Sequence, residues 1–190
     1  IPSHNCIHAN AHALARYAAI CQAGGIVPMV EPEVLMDGDN DIDTCAEVTE
    51  WALTETFAEL RHAGVMLEGI ILKPNMVISG KKCATQAGRE EVAFKTVKVL
   101  KRCVPAAVPG IAFLSGGQSS EDATAHLHYM NAIGNLPWKL TYSYGRALQA
   151  DALKAWGGKP ENVAAGQAAF SHRAKMNALA ASGKWSPDIE

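Results

Sequence analysis

The sequence lacks the features that mark several classes of protein. Its 17 basic and 19 acidic residues nearly cancel, so it carries no basic excess of the kind that nucleic-acid-binding domains show. No apolar run approaches the roughly 20 residues that a membrane-spanning helix needs. No signal-peptide pattern is present either. We therefore expect no nucleic-acid partner and no membrane insertion.

Cysteine is sparse and occurs in an odd number, with no CxxC pair. This usage is typical of a reduced, intracellular protein and predicts a cytoplasmic location. Hydrophobic residues make up 48% of the 190 residues, which is enough for one sizeable core. The five cysteines are Cys6, Cys21, Cys45, Cys83 and Cys103.

Short apolar runs alternate with longer amphipathic stretches. This order predicts an α/β fold with parallel strands and right-handed crossovers. Pro28 lies inside the first predicted strand and removes a hydrogen-bond donor, so we expect an irregularity there. The pattern allows either a small open sheet or half of a (β/α)8 barrel. Strands are predicted at 26–30, 69–72, 111–114 and 138–142, and helices at 6–22, from Thr44, at 89–102, from Ser119, at 147–156 and from Pro160.

Two carboxylates, Glu31 and Glu33, directly follow the first strand. Side chains at i and i+2 of an extended segment point the same way, so these two carboxylates are expected on one side. Such a pair suits proton transfer near neutral pH. The alternative interpretation is an exposed acidic loop.

Lys73 ends the strongly apolar second strand and precedes a proline. Charged residues are rarely buried without a reason. A desolvated lysine has a lowered pKa, and its neutral amine can form a Schiff base with a carbonyl group. The alternative is a lysine at the mouth of the strand that pairs with a carboxylate.

Two further polar loops follow the third and fourth strands. Glycines in the first loop let the backbone approach a ligand, and their N–H groups can cradle an anion, although a tight turn is the alternative. Arg146 in the second loop could grip a phosphate with two hydrogen bonds. Phosphate sites in barrels often form between the loops after the last two strands. The candidate residues are Ser115, Gly116, Gly117, Ser143, Gly145 and Arg146.

Two patterns resemble metal sites without completing one. His4, His8 and His12 recur every fourth residue, but no carboxylate or cysteine in the sequence clearly completes a ligand set, so we predict exposed histidines. The acidic stretch at 37–43 lacks the glycine and the terminal glutamate of a calcium-binding EF-hand loop, and we interpret it as a polar loop. No metal is predicted.

Six motifs together resemble class I fructose-bisphosphate aldolases over nearly the whole chain and in the same order. The resemblance implies a (β/α)8 barrel of which this chain covers about the last four strand–helix units. It implies that Lys73 is the Schiff-base lysine, that Glu31 and Glu33 are the principal proton-transfer carboxylate and the supporting one, and that the six loop residues are substrate- and phosphate-binding positions. The motifs are ALARYA, VEPE, LKPNM, FLSGGQ, SYGRALQ and ALKAWGG.

The family resemblance also implies reversible cleavage of fructose 1,6-bisphosphate to two triose phosphates, no cofactor, and a homotetramer. The family chain is about twice as long, so we expect residues 1–190 to be the C-terminal half of a single barrel domain and to be inactive alone. Two alternatives stay open. One is a non-catalytic phosphosugar-binding or scaffolding fragment, and the other is a different Schiff-base barrel enzyme, such as a transaldolase-like protein.

Overall fold

The computed structural model describes residues 1–190 as one parallel sheet flanked by helices. The four strands lie in the order β1-β2-β3-β4, so each strand neighbours the next one along the chain. None of the helices is long and apolar enough to cross a membrane. The strands are β1 (Met29–Val30), β2 (Ile71–Leu72), β3 (Gly110–Phe113) and β4 (Lys139–Tyr142). The helices are α1 (His4–Ala23), α2 (Ile42–His62), α3 (Arg89–Cys103), α4 (Ser120–Ile133), α5 (Arg146–Trp156) and α6 (Val163–Ala181).

All three strand pairings are parallel, as predicted. Val30 pairs with Leu72 and Leu72 with Ile111, whereas β3 and β4 pair along four residues, from Gly110 with Lys139 to Phe113 with Tyr142. The sheet is open, because β1 and β4 each have one unpaired edge. This arrangement corresponds to part of a (β/α)8 barrel, in which each strand is followed by a helix.

The helices form because apolar residues recur on one face, which packs against the sheet. In α1 the buried residues recur every third or fourth position, and α3 shows the same spacing. Consecutive helices pack on one another, and α6 contacts both α4 and α5. The buried sets are Ile7, Ala11, Ala15 and Ala18 in α1, and Val92, Ala93, Thr96, Val97, Val99 and Leu100 in α3.

The first two strands are shorter than predicted. The predicted strand at 26–30 contains only two strand residues, and Ile26 and Val27 are exposed. Pro28 has no N–H to donate, as expected, although its carbonyl still accepts a hydrogen bond from the N–H of Ile71 at 3.0 Å. The predicted second strand is shortened because a short 3-10 helix occupies Leu67–Gly69.

Helix starts were predicted with mixed success. The prediction that Thr44 begins the second helix was wrong, because Asp41 caps it: the Asp41 carboxylate accepts a hydrogen bond from the Thr44 N–H at 2.8 Å. The predicted cap at Ser119 is confirmed by its bond from the Asp122 N–H at 3.0 Å. Pro160 opens a short 3-10 helix, and α6 begins three residues later.

Candidate functional site

The predicted site residues follow the carboxyl ends of the four strands, at one edge of the sheet. Backbone pairing continues past the strands there: the N–H of Lys73 donates to Val30 O at 2.7 Å, and that of Ser143 donates to Phe113 O at 2.9 Å. Ligand sites of α/β folds form at this edge, because the loops that follow parallel strands converge on it.

Lys73 and Glu31 form an ion pair with 3.1 Å between Nζ and Oε1. The Lys73 side chain is 19% exposed, and its strand neighbour Leu72 is fully buried. The lysine–carboxylate pairing that we considered as an alternative is therefore present. The same geometry holds a carboxylate within proton-transfer distance of the amine, so pairing and reactivity are compatible here.

The segment that carries Glu31 is held against the segment that carries Lys73 by the buried amide of Asn75. Its oxygen accepts a hydrogen bond from the Val34 N–H at 2.9 Å, and its nitrogen donates to Thr49 Oγ1 in α2 at 3.0 Å. Asn75 is 2% exposed. One side chain thus ties the loop that carries Glu31 and the segment that follows Lys73 to α2.

Glu33 differs from Glu31 in having no ion pair with Lys73. Residues 31–33 are not part of a strand, so the alternation that predicted two carboxylates on one side does not apply. Glu31 and Glu33 are nevertheless both exposed and both line a cavity of about 800 Å³ between α1 and α2. Only Glu31 pairs with Lys73.

The glycine loop after β3 adopts a conformation that requires glycine. Gly116 and Gly117 have φ values of +56° and +73°, which other residues rarely adopt. A Cβ atom on Gly117 would lie 2.7 Å from Lys81 Nζ and 3.3 Å from Arg146 Nη2. The absence of side chains therefore leaves room for two cationic groups directly beside the loop backbone.

Lys81 is a site residue that the sequence analysis missed. The loop around it pairs with the loop after β1: the N–H of Lys81 donates to Met36 O at 2.8 Å. Its amine forms a 2.8 Å ion pair with Asp37. That hydrogen bond lowers the pKa of the Asp37 carboxyl, and the charge of Arg146 lowers it further. The only sequence signal was a pair of lysines after Gly80, in a loop with no other distinctive pattern.

Arg146 is the first residue of α5 and is exposed, with no carboxylate partner in the structure. The buried Tyr144 holds its loop in place by donating a hydrogen bond to Ala123 O in α4 at 2.8 Å. Burial raises the pKa of Tyr144 well above its usual range, so this donor stays protonated. Ser143 and Gly145 flank the anchored tyrosine, and the N–H of Ser143 bonds the carbonyl of Phe113 at the end of β3.

Side-chain hydrogen bonds of Gln118 and His126 hold the glycine loop. The amide nitrogen of Gln118 donates a hydrogen bond to Ser115 O at 2.9 Å. The amide oxygen of Gln118 therefore faces His126 and accepts a hydrogen bond from the Nδ1–H of that ring. Burial lowers the pKa of His126 to about 4, which keeps the ring neutral near pH 7. Ser115 itself is 6% exposed and sits on this scaffold.

Comparison with known proteins supports one family. The family model described as fructose-bisphosphate aldolase class-I matches residues 1–190. A probable fructose-bisphosphate aldolase class 1 of Xanthomonas campestris is 61% identical over 97% of this chain and 56% of its own length. Fructose-bisphosphate aldolase 2 of Caenorhabditis elegans is 55% identical over 97% of this chain and 50% of its own.

A solved structure agrees with these relatives. Fructose-bisphosphate aldolase from Plasmodium falciparum, in a complex with TRAP and an inhibitor, superposes with a TM-score of 0.95 at 50% identity, covering 97% of this chain and 53% of that one. The chain spans about half the length of the curated relatives it matches. The chain therefore belongs to the class-I fructose-bisphosphate aldolase family.

Proposed function

We propose that the protein containing this chain cleaves fructose 1,6-bisphosphate reversibly to dihydroxyacetone phosphate and glyceraldehyde 3-phosphate through a Schiff base on Lys73. The observation that carries the proposal is the 3.1 Å pair of Lys73 and Glu31, on the same sheet edge as a cationic glycine loop. A phosphorylated ketose fits these groups. The amine can attack its ketone, and the cationic groups on neighbouring loops can bind its phosphate.

The chemistry follows from these groups. The neutral amine of Lys73 adds to the ketone, and loss of water gives a protonated imine. The protonated imine draws the electron pair of the C–C bond one carbon away into an enamine, while the hydroxyl on the departing carbon gives its proton to Glu31 and that carbon leaves as the aldehyde product. Protonation of the enamine carbon restores the imine, and water hydrolyses it to release dihydroxyacetone phosphate and the free amine of Lys73. Glu31 accepts and returns protons while the imine forms and is later hydrolysed. Glu33 supports this exchange by adding negative charge to the same cavity.

The phosphate at the ketose end would bind between the loops after β3 and β4. The groups that would bind it are the backbone N–H groups of Ser115, Gly116 and Gly117, the amino end of α4 and the Arg146 guanidinium, with Ser143 and Gly145 on the neighbouring loop. The closeness of the Arg146 guanidinium to Gly117 supports this assignment. Lys81 would add a second cation. In the free protein Asp37 balances Lys81, so we infer that an incoming phosphate competes with Asp37 for this amine.

Further parts of the proposal concern the whole protein. We propose that residues 1–190 form the C-terminal half of one barrel domain, that this half alone is inactive, and that the intact protein is a homotetramer in the cytoplasm. Family membership supports the assembly, and the name of an Arabidopsis thaliana relative, fructose-bisphosphate aldolase 4, cytosolic, supports the location.

Borohydride trapping tests the central step. The intact protein is incubated with dihydroxyacetone phosphate, reduced with borohydride and digested for mass spectrometry. We expect one adduct on Lys73, none in Lys73→Arg, and normal labelling in the control Lys159→Arg, which changes an exposed lysine next to α5. An adduct on another lysine, or none on the unaltered protein, would contradict the proposal.

A second candidate function is phosphosugar binding without cleavage by the 190-residue chain. It is favoured by the anion cradle, which is built entirely from residues of this chain, although the chain spans about half of its relatives' length. Binding of fructose 1,6-bisphosphate with no release of triose phosphate would support it. The ligands of such a binding protein would be ketose and triose phosphates, the same compounds that the proposed enzyme binds.

A further inference from the structure

Histidines of α1 and carboxylates of α2 meet where the two helices pack. His8 and His12 are four residues apart on α1, and Glu55 and Glu59 are four residues apart on α2. This spacing puts each pair on one face of its helix. His62 lies one turn beyond Glu59. None of these five residues lines the cavity beside Glu31.

The side chains converge on Glu59. His8 Nδ1 lies 2.9 Å from Glu55 Oε1 and 4.0 Å from Glu59 Oε1, and His12 Nδ1 lies 2.9 Å from Glu59 Oε2. His62 Nδ1 is 3.6 Å from Glu59 Oε1. Glu59 is only 12% exposed, so three imidazoles surround a largely buried carboxylate.

We propose that His8, Glu55 and Glu59 bind a divalent transition metal of the Zn²⁺ type, with His12 as the fourth ligand. The three histidines of the sequence pattern are exposed, as predicted, and the packing of α2 brings Glu55 and Glu59 within reach of them, which the sequence alone did not indicate. Two carboxylates balance the charge of the ion, and two neutral imidazoles complete a tetrahedral set of N and O ligands. Imidazole favours Zn²⁺, Ni²⁺ or Cu²⁺ over Mg²⁺ and Ca²⁺.

The distances require only a small adjustment. Ligand atoms of His8, Glu55 and Glu59 all lie within 4.8 Å of one another. Two ligands about 2.0–2.1 Å from a tetrahedral ion are about 3.3 Å apart, so the His8–Glu55 pair at 2.9 Å must open slightly and the wider separations must close by up to roughly 1.5 Å. His12 lies outside this group and must rotate towards it, although its Nδ1 already contacts Glu59. The His8 and His12 side chains are 63% and 56% exposed and can rotate without disturbing the core.

The competing interpretation is a cluster of protonated histidines that pair with the carboxylates. The hydrogen bond from His12 lowers the pKa of the Glu59 carboxyl, so Glu59 is anionic in either case. Metal binding differs in that the ion replaces the protons shared between imidazole and carboxylate and releases them to solvent. The two interpretations therefore differ in stoichiometric metal binding and proton release.

A bound ion would also join α1 to α2, because each helix supplies two ligands. Since the site forms only when the helices are packed, the metal stabilises the folded protein. At a free Zn²⁺ concentration about 100-fold above the Kd, we expect the Tm to rise by roughly 5–10 °C. This site does not depend on Schiff-base chemistry at Lys73.

The test is calorimetric titration of the metal-free protein with Zn²⁺ at neutral pH, in two buffers of different ionisation enthalpy, with Mg²⁺ as the control ion. We expect one Zn²⁺ per chain, proton release and no response to Mg²⁺. His8→Ala and Glu59→Gln should each weaken binding at least about 10-fold. His172→Ala, which removes an exposed histidine of α6, should bind as the unaltered protein does.

Co²⁺ spectra identify the ligands independently. We expect visible bands of a tetrahedral N/O site, lost in His8→Ala, with no thiolate-to-metal band in the ultraviolet. A thiolate band would place the ion on the free cysteines, and Zn²⁺ binding unchanged in His8→Ala and Glu59→Gln would place it elsewhere. Either result, or absence of Zn²⁺ binding, overturns the proposal.

Discussion

The two ends of the candidate site are built in different ways. At the lysine end, β1 and β2 are two residues long, and Glu31 is an exposed side chain on a loop that the Asn75 amide binds at Val34. At the proposed phosphate end, β3 and β4 pair along four residues, and the backbone of the glycine loop lies directly beside the side chains of Lys81 and Arg146. The comparison shows that the lysine end is joined to its neighbours mainly by side chains, whereas the glycine loop at the other end follows the better-paired part of the sheet.

Removal of the Asn75 amide should produce the largest effect. Asn75→Ala leaves the Val34 N–H and the Thr49 hydroxyl without partners, and we expect a loss of about 3–4 kcal/mol in the free energy of unfolding. The rate of adduct formation on Lys73 should fall while phosphate binding at the other end is retained. Urea denaturation and borohydride trapping measure the two effects.

The matched control for this variant is Asn10→Ala. The Asn10 amide also donates a hydrogen bond, to Cys6 O at 2.8 Å, but it is exposed. A change within about 0.5 kcal/mol is expected there. Equal losses in both variants would show that the amide of Asn75 has no special part in holding the lysine end.

Acid should destabilise the phosphate end through His126. The pKa of this buried ring is about 4 in the folded protein and 6.5 when unfolded, so the unfolded state binds more protons between these values. Stability is full above pH 6.5 and falls, by roughly 3 kcal/mol at most, as the pH drops to about 4. Urea denaturation at a series of pH values measures how steeply the free energy of unfolding changes with pH.

His126→Asn provides the comparison, because its amide can still donate to Gln118 while the titrating group is gone. The slope of unfolding free energy against pH between about 4 and 6.5 should be smaller in the variant. An identical slope would mean that another group accounts for the acid sensitivity.

Gly117→Ala should have an intermediate effect, confined to the phosphate end. The φ of +73° costs an L-residue about 1–2 kcal/mol, and the new Cβ would also displace the Lys81 amine from 2.7 Å away. We expect weaker binding of a phosphorylated ligand together with this loss of stability, measured by calorimetry and by thermal unfolding.

Gly64→Ala separates the two contributions. Its φ is +67°, but a Cβ there would meet nothing within 4 Å. It should lose similar stability and leave phosphate binding unchanged. If both variants weakened ligand binding equally, the cradle around Gly117 would not be the phosphate site.

Lys81→Ala should show the smallest effect. Lys81 and Asp37 are both exposed, so their ion pair adds little, and phosphate affinity should fall by no more than about fivefold in the variant. Lys82→Ala changes the neighbouring exposed lysine and should leave affinity unchanged. A loss as large in Lys82→Ala would indicate a general charge effect rather than a contact of Lys81.

Much of the site was predictable, because its residues sit in short motifs at strand ends. Lys73, Glu31 and Arg146 could be singled out as candidates because each directly follows an apolar run or a loop of distinctive composition. Lys81 was missed because its relation to Arg146 depends on pairing between two separate loops. The length of β1 was overestimated because hydrophobicity extends to Ile26, whereas strand pairing begins only after Pro28.

The helix caps show the same limit on a smaller scale. Ser119 was placed correctly because its partner Asp122 is three residues away. The start of α2 was placed late because Asp41 and Thr44 both offer capping side chains, and the sequence alone does not rank them. The carboxylate of Asp41 accepts the Thr44 N–H and lets one additional turn of helix form.

The sequence by itself determined the alternation of strands and helices, the parallel sheet and the position of each motif at a strand end. These features follow from local periodicity and from residues next to one another. Tertiary structure alone decided that Asn75 holds the Glu31 segment and that Lys81 lies beside Gly117. It also decided that His8 meets Glu55, 47 residues away. Such contacts depend on how helices and loops pack, and no local pattern encodes that packing.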